Sequence, residues 1–573
     1  MLLNGLDWTV IAAFFAALAL IPAVAARRAK RTANDFFTSG KSMPWWLIGF
    51  SMVAATTATD SANFFTEVIR RDGMGGNWIM WAFILTGLLT VFVYAKLWVK
   101  SGVTTDIEFY ELRYSGKPAA FLRAFRTLYL GVVFNVLVLG NVILAAVKIG
   151  VVLFGIEPST IYWVTVVASV VYTFFGGIRG VIWTDFFLFL VIMAGAVAAM
   201  VYGLRLPEVG GLAGIVSNPE TAWRLSLLPD FSSWDTLLVM FVMPLAVQWW
   251  NVWKAGSEPG GGGYIVQRML TAKSETHALG GTLFFNVLNW VIRPWPWYIV
   301  GLCSVLVYPD LASIQAAFPK VDPSLVHGDM AYPAMLTKVP NGWLGLVAAS
   351  MMGALFSTVA AHLNLGSAYV VNDFWKRFVR PSAGDRELIW VGRAAMLALL
   401  LFGCALAPHL KSAKAAFDLM LLIGAGSGAI FLLRWFWMRI NAWTELTGMF
   451  VSFVVALVLQ LGFPELASWQ KMLITIAVTS VSWLAVTFLT PPTDAATAAR
   501  FKAAVRADGR DVGKGLVLMA VSSFALFDLM YMVGAWIYGW YAKAAVATVL
   551  ALAASVFVAR GIRKRGGEHG HRL

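Results

Sequence analysis

The chain is 573 residues long, 59% hydrophobic and only 13% charged, with a mean hydropathy of +0.74. Such values exclude an ordinary soluble domain and make lipid the expected solvent. The net charge of +14 does not mark a nucleic-acid binder, because Lys and Arg are scattered between apolar runs and gather on no single face.

Apolar runs of about 20 residues, enough to cross roughly 30 Å of hydrocarbon, recur from the N-terminus almost to the end. Helices are the expected spanning elements, since the alternating pattern of a barrel is absent. The first run, Trp8 to Ala26, has Asp7 before it and Arg27, Arg28, Lys30 and Arg31 after it. That asymmetry places the N-terminus outside and the basic loop in the cytoplasm. A cleavable signal peptide ending in Ala-Val-Ala-Ala is the alternative reading of residues 1–26. Later loops alternate accordingly, with basic ones at Lys96 to Arg126, Lys376 to Arg386, Arg500 to Lys514 and Arg560 to Arg565. The loop around Lys411 and Lys414 is the exception.

Hydropathy predicts helices near 8–26, 43–69, 78–100, 122–153, 157–176, 180–204, 235–270, 277–307, 342–374, 388–408, 414–437, 442–463, 468–489, 515–535 and 539–560. That is an all-α polytopic membrane protein of about 15 spans, ending in the cytoplasm. Cys303 and Cys404 both lie in apolar runs and offer neither a disulfide framework nor a metal cluster.

Two segments break the pattern. In 43–69, helical spacing puts Thr56, Asp60, Asn63 and Glu67 on one stripe. A carboxylate such as Asp60 inside a span is costly and points to a partner or a watery path, although threonines there also serve plain helix–helix bonding. The second segment, Leu237 to Leu270, would be roughly 50 Å long as one helix, too long for one crossing. Glu258-Pro259-Gly260-Gly261-Gly262-Gly263 is the expected break, giving two half-helices around an irregular strip, with a loop outside the membrane as the alternative. Irregular backbone at membrane depth must be buried or line a cavity. Lys254 and Glu258 are spaced to neutralise each other if the helix continues through them; if it unwinds, the ammonium is free to meet a carboxylate between Trp250 and Tyr264.

A pair of interrupted helices at corresponding positions is what an inverted-repeat transporter needs, and the segment at 235–270 is sixth when the one at 43–69 is first. Residues 35–46 (DFFTSGKSMPWW), 108–114 (EFYELRY), 176–185 (GGIRGVIWTD), 267–273 (QRMLTAK) and 354–358 (ALFST), with Asn364 and Asn372-Asp373, then follow in an order that resembles the sodium:solute symporter family, which includes sodium-coupled sugar and proline carriers.

The resemblance implies a LeuT-like five-plus-five inverted-repeat core. Residues 1–42 would form an extra helix and a basic loop, 43–204 the first repeat, 205–440 the second, and 441–573 additional helices with a short tail. Carried over position by position, the sodium site would use the carbonyls of Ala54, Thr57 and Ala354 with the hydroxyls of Ser357 and Thr358. Sodium is a hard cation that takes several oxygens, and residues 354, 357 and 358 share one helix face, though hydroxyls so placed also bond back to their own helix. Asp185 matches an acidic position on the ion's exit path, with pairing to Arg179 as its alternative. Thr56 stands where relatives often carry Asn or Asp.

These readings imply symport of a small organic solute with sodium in a bacterial-type inner (plasma) membrane. The expected solute is an amino acid such as proline, or an organic acid, held among Thr56, Asp60, Ser61, Trp250, Lys254, Glu258 and Tyr264. No cofactor, nucleic acid or obligatory protein partner is expected. An enzyme is disfavoured, since His277, His327, His362, His409, His569 and His571 form no metal-binding pair. Proton coupling through Asp60, or a solute sensor, remains open.

Overall fold

The computed structural model describes residues 3–27, 41–103, 106–173, 178–505 and 508–570. The basic loop expected at 28–40, the glycines at 176–177 and the chain beyond Gly570 lie outside the described residues, as do the side chains of Arg27 and Arg179. Every long segment is helical: α1 (Gly5–Arg27), α2 (Trp45–Thr56), α3 (Thr59–Asp72), α4 (Met74–Ser101), α5 (Gly116–Phe154), α6 (Pro158–Thr173), α7 (Ile178–Leu204), α8 (Trp234–Gln248), α9 (Gly263–Met269), α10 (Glu275–Val307), α11 (Trp343–Val379), α12 (Asp385–His409), α13 (Ala413–Ile423), α14 (Gly428–Leu433), α15 (Ala442–Gly462), α16 (Ser468–Leu489), α17 (Gly509–Ile537) and α18 (Tyr541–Gly570). Short helices lie in the connections between them.

Among the described residues, ten of these are long and apolar enough to cross a membrane. The other expected segments are α1, the 16-residue helix α6, and the interrupted pairs α2 with α3, α8 with α9 and α13 with α14. The interruption of the last pair corrects the continuous helix expected at 414–437; it falls at residues 424–427, where Gly424-Ala425-Gly426-Ser427 leaves little side chain to hold a helix face.

Burial separates a core from a rim. The most apolar stretches of α5, α10 and α11 are 83% buried, against 22% for α12, α16 and α18, so the former build the centre and the latter face outward. Outward faces carry apolar side chains such as Leu401, Val481 and Leu552, the surface a lipid solvent requires. Pairing follows the chain at the rim (α15 with α16, α17 with α18) and crosses it around the core helices (α2 with α10, α7 with α11), where α5 also carries the rim helix α12. α1 packs on α7 and α11, where Asp7 accepts from the amides of Gly342 and Gly345 at 2.6 and 2.7 Å and so satisfies otherwise unpaired donors at the start of α11.

The two expected broken helices meet. Met43 bridges to Ala272 just beyond α9, and the interruptions of both lie on one internal cavity.

Candidate functional site

The first interruption is short. α2 ends at Thr56, Thr57 and Ala58 take extended torsions (φ −97° and −99°), and α3 resumes at Thr59. No glycine or proline stands here. The hydroxyls of Thr56 and Thr57 instead turn back onto the carbonyl of Val53 at 2.8 and 2.7 Å, competing with helix bonds. The carbonyls at this end carry the negative pole of α2 and need donors. Arg293 of α10 supplies one, its Nη1 donating to the Thr56 carbonyl at 3.1 Å and to the Thr57 hydroxyl at 3.0 Å. Thr358 of α11 donates to the Thr57 carbonyl at 3.4 Å.

One residue away, Ser357 donates to Asp185 Oδ1 at 3.3 Å. Asp185 also accepts from Ser51 at 2.6 Å and pairs with Arg268 at 3.0 Å, all buried. Its recorded partner is thus Arg268 of α9. Of the five expected sodium ligands, Thr57 and Thr358 stand together with Ser357 beside them; the Ala54 carbonyl accepts from the Thr57 amide at 3.0 Å, and Ala354 is buried on the same face of α11.

The second interruption is longer than the sequence predicts, running over residues 249–262 rather than beginning at Glu258. Its backbone is held by side chains. Ser257 Oγ accepts from the amides of Trp253 and Lys254 at 3.0 and 3.1 Å, Glu258 from that of Gly256 at 2.6 Å, and Trp98 donates to the Gly260 carbonyl at 2.7 Å. Val252 donates to the Gly424 carbonyl at 3.3 Å, tying the strip to the break between α13 and α14. Gly260 and Gly261 have φ near +90° (89° and 93°), and a Cβ on Gly260 would stand 3.0 Å from the Tyr94 ring.

Because residues 254–258 are not helical, Lys254 and Glu258 do not pair. Glu258 turns away to Arg126 at 2.7 Å, both buried, and is not among the residues that line the cavity between the interruptions. Trp250 also stays off the cavity, its carbonyl lying where a Cβ on Gly428 would fall.

Between the two interruptions lies a cavity of about 140 Å³. Thr56, Asp60, Ser61, Lys254, Tyr264 and Thr358 all line it, with aromatic walls from Trp253, Phe64 and Phe417. The stripe expected on 43–69 is split by the break: Asp60 reaches the cavity, Asn63 is buried without a side-chain hydrogen-bond partner among the described residues, and Glu67 accepts from Ser412 at 3.0 Å. The Lys254 ammonium lies 4.4 Å from the Trp253 ring centre and 5.7 Å from that of Tyr264, and donates no hydrogen bond among the described residues.

Several members of the site go unmarked in the sequence: Arg293, Asn141, Asn286, Asn289 and His362 also line the cavity. Asn141 donates to Asp60 at 2.6 Å, and the His362 ring meets Asn135 at 2.6 Å, so this histidine has a partner and also contributes wall. Arg293 carries the same signal as Asp60, a lone charge within an apolar span.

The sodium:solute symporter family profile matches residues 36–452. The sodium/glucose cotransporter of Vibrio parahaemolyticus is 26% identical over 468 residues, covering 79% of this chain and 84% of that one. Sodium/myo-inositol cotransporter 2 of Oryctolagus cuniculus is 27% identical over 482 residues, covering 77% and 68%. Among solved structures, a Na+-coupled sialic acid symporter in a substrate-bound outward-open state aligns with a TM-score of 0.66 at 21% identity, covering 86% of this chain and 99% of that one. This likeness shows the fold, an all-α LeuT-like core.

Proposed function

The chain belongs to the sodium:solute symporter family, and we propose that it moves a carboxylate-bearing solute, an amino acid or an organic acid, together with sodium by alternating access. The observation that carries the solute class is Lys254, whose ammonium faces the cavity from unwound backbone with neither an ion pair nor a hydrogen bond among the described residues. A cation at membrane depth without an ion-pair partner is costly, and a substrate carboxylate supplies that partner.

In this reading sodium binds the carbonyls of Ala54, Thr57 and Ala354 and the hydroxyls of Ser357 and Thr358. Its support is the approach of Thr358 to the Thr57 carbonyl across the break. Sodium and solute then share one device: the end of α2 presents oxygens to the ion on one side and, through Arg293, joins the solute cavity on the other. Ordering that end for one cargo lowers the cost of binding the other, a reciprocal coupling. Asp185, next to Ser357, offers the departing ion a carboxylate on its way out. The reading needs no cofactor and no catalytic residue, and it places the chain in a bacterial-type inner (plasma) membrane with its N-terminus outside and C-terminus in the cytoplasm. Reporter fusions at residues 30, 325 and 565 should read inside, outside and inside.

Two other readings have an observation behind them. The relatives named for glucose and inositol favour a neutral sugar. Asp60, a carboxylate on the cavity with no ion pair among the described residues, favours proton coupling. Uptake into proteoliposomes with sodium and proton gradients imposed separately tests both: sodium-driven uptake inhibited by carboxylates supports the proposal, whereas uptake driven by protons alone, or inhibited only by neutral sugars, overturns it.

A further inference from the structure

A groove of about 440 Å³ opens between α2, α10 and α18 and shares no lining residue with the cavity between the interruptions. Leu279, Leu283 and Val287 of its wall recur every fourth residue, so they form one stripe along α10, roughly 12 Å long. Trp45, the first residue of α2, walls one side, its ring in a T-shaped contact with Phe284 at 5.2 Å, and Ile562 of α18 walls the other. Beyond Leu279 the stripe is only half-buried, and Trp45 is 43% exposed. The furrow is therefore long, apolar and open on the surface that lipid covers, which is the shape of an acyl chain.

One end of the furrow is basic. α17 runs alongside α10, with Gly534 against Trp295, and α18 returns antiparallel to it, with Gly561 against Leu518. α10 thus starts where α18 finishes. Lys273 precedes α10, and Arg563 and Lys564 follow Ile562, so these three exposed cations stand beyond the same end of the furrow. The Lys273 amide donates to the Met43 carbonyl at 3.2 Å, which fixes that residue at the root of α2. Against the three stands Glu275 in the first turn of α10. His277, on the groove wall, adds a donor: its Nδ1 accepts from the Trp45 amide at 3.1 Å, which leaves the proton of the neutral ring on Nε2.

Whichever solute is carried, we propose that this groove binds one anionic phospholipid. An acyl chain lies along Leu279, Leu283 and Val287, and the phosphate meets Lys273, Arg563 and Lys564 with a hydrogen bond from His277 Nε2. Basic residues between helices at the headgroup level recognise net negative charge, and a zwitterionic headgroup brings an ammonium that the same cations repel. The lipid covers a tight seam, where a Cβ on Gly281 would stand 3.0 Å from Ile48 Cγ2. It thereby tethers to α10 the root of the helix whose other end forms the short interruption.

The test is native mass spectrometry of the delipidated, detergent-solubilised full chain titrated with phosphatidylglycerol or phosphatidylcholine of the same acyl chains, with melts taken in parallel. Half-maximal occupancy by phosphatidylglycerol should come at least about tenfold lower in concentration than by phosphatidylcholine, the scale of a few interfacial charge contacts. Lys273→Gln with Arg563→Gln and Lys564→Gln should erase that preference and, since all three positions are exposed, leave the lipid-free melt unchanged. Leu283→Trp, which fills the furrow, should weaken both lipids at least about tenfold; where it fails to fold, the triple variant decides. Equal occupancy by the two lipids in the wild type, a preference that survives in the triple variant, or unchanged binding by a folded Leu283→Trp overturns the proposal. Displacement of phosphatidylglycerol by an equal concentration of glycerol 1-phosphate also overturns it, because the site would then recognise a phosphate without a chain.

Discussion

Between α2 and α3 the chain leaves the helix only at Thr57 and Ala58, with ordinary extended torsions, whereas between α8 and α9 it does so over residues 249–262 and passes through positive φ at Gly256, Gly260 and Gly261. The short break is made of hydroxyls and carbonyls, and the bond that the Thr57 carbonyl accepts from Thr358 of α11 is long, at 3.4 Å. The long strip is held by short, directed bonds and one buried ion pair, Glu258 with Arg126 at 2.7 Å. A site that must bind and release an ion cannot have its ligands satisfied too well, while a wall that shapes a cavity must be. Damage to the strip should therefore appear as lost folding, and damage to the short break as lost ion affinity.

Glu258→Ala should have the largest effect. It strands the Arg126 guanidinium, which is 2% exposed, and breaking a buried pair in this way costs about 3–5 kcal/mol. Folded yield and unfolding temperature should both collapse, and Glu258→Ala with Arg126→Met should recover part of each. A wild-type melt for the single variant would show that the pair does not hold the strip.

Gly260→Ala comes next, at about 1–3 kcal/mol, since it forces a side chain into a left-handed backbone against Tyr94. Ala58→Ser in the short break is its counterpart and should stay within about 0.5 kcal/mol, because φ −99° and ψ 162° suit any residue. Equal losses in the two variants, read from the same melts, would erase the contrast.

How much of this the sequence reveals depends on whether a break is local or tertiary. Pro259 and its glycines locate the strip, but they do not locate its start, because Trp249 to Lys254 contains no helix breaker. That stretch is unwound by partners distant in sequence: the Thr86 hydroxyl bonds the Trp249 carbonyl, and Val252 pairs with Gly424. The error propagates to the site. Helical spacing makes Lys254 and Glu258 a natural pair, and the unwound alternative makes Trp250 a wall; the chain does unwind, yet Glu258 faces Arg126 and Trp253 takes the wall instead. The break at Thr57 is equally silent in composition; its ligand positions come from a family resemblance that the family profile over residues 36–452 bears out at the level of the fold. The glycines at 424, 426 and 428 carry the same signal as those of the strip, but hydropathy averages over them and predicts one helix.

The smallest expected structural effect is the most informative about ion binding. Ser357→Ala with Thr358→Ala removes two hydroxyls whose recorded bonds, at 3.3 and 3.4 Å to Asp185 and the Thr57 carbonyl, are near the limit of useful geometry. Bonds that long add little to stability, so the melt without sodium should scarcely move, unlike that of Glu258→Ala. For sodium the same oxygens would be two of about five ligands, and losing two polar contacts worth roughly 1 kcal/mol each should raise the sodium concentration for half-maximal uptake by about thirtyfold. Measuring uptake against sodium alongside the sodium-free melt separates the two roles. Wild-type sodium dependence would remove these hydroxyls from the ion site, and a melt that falls as far as that of Glu258→Ala would mean that both interruptions serve the fold alone.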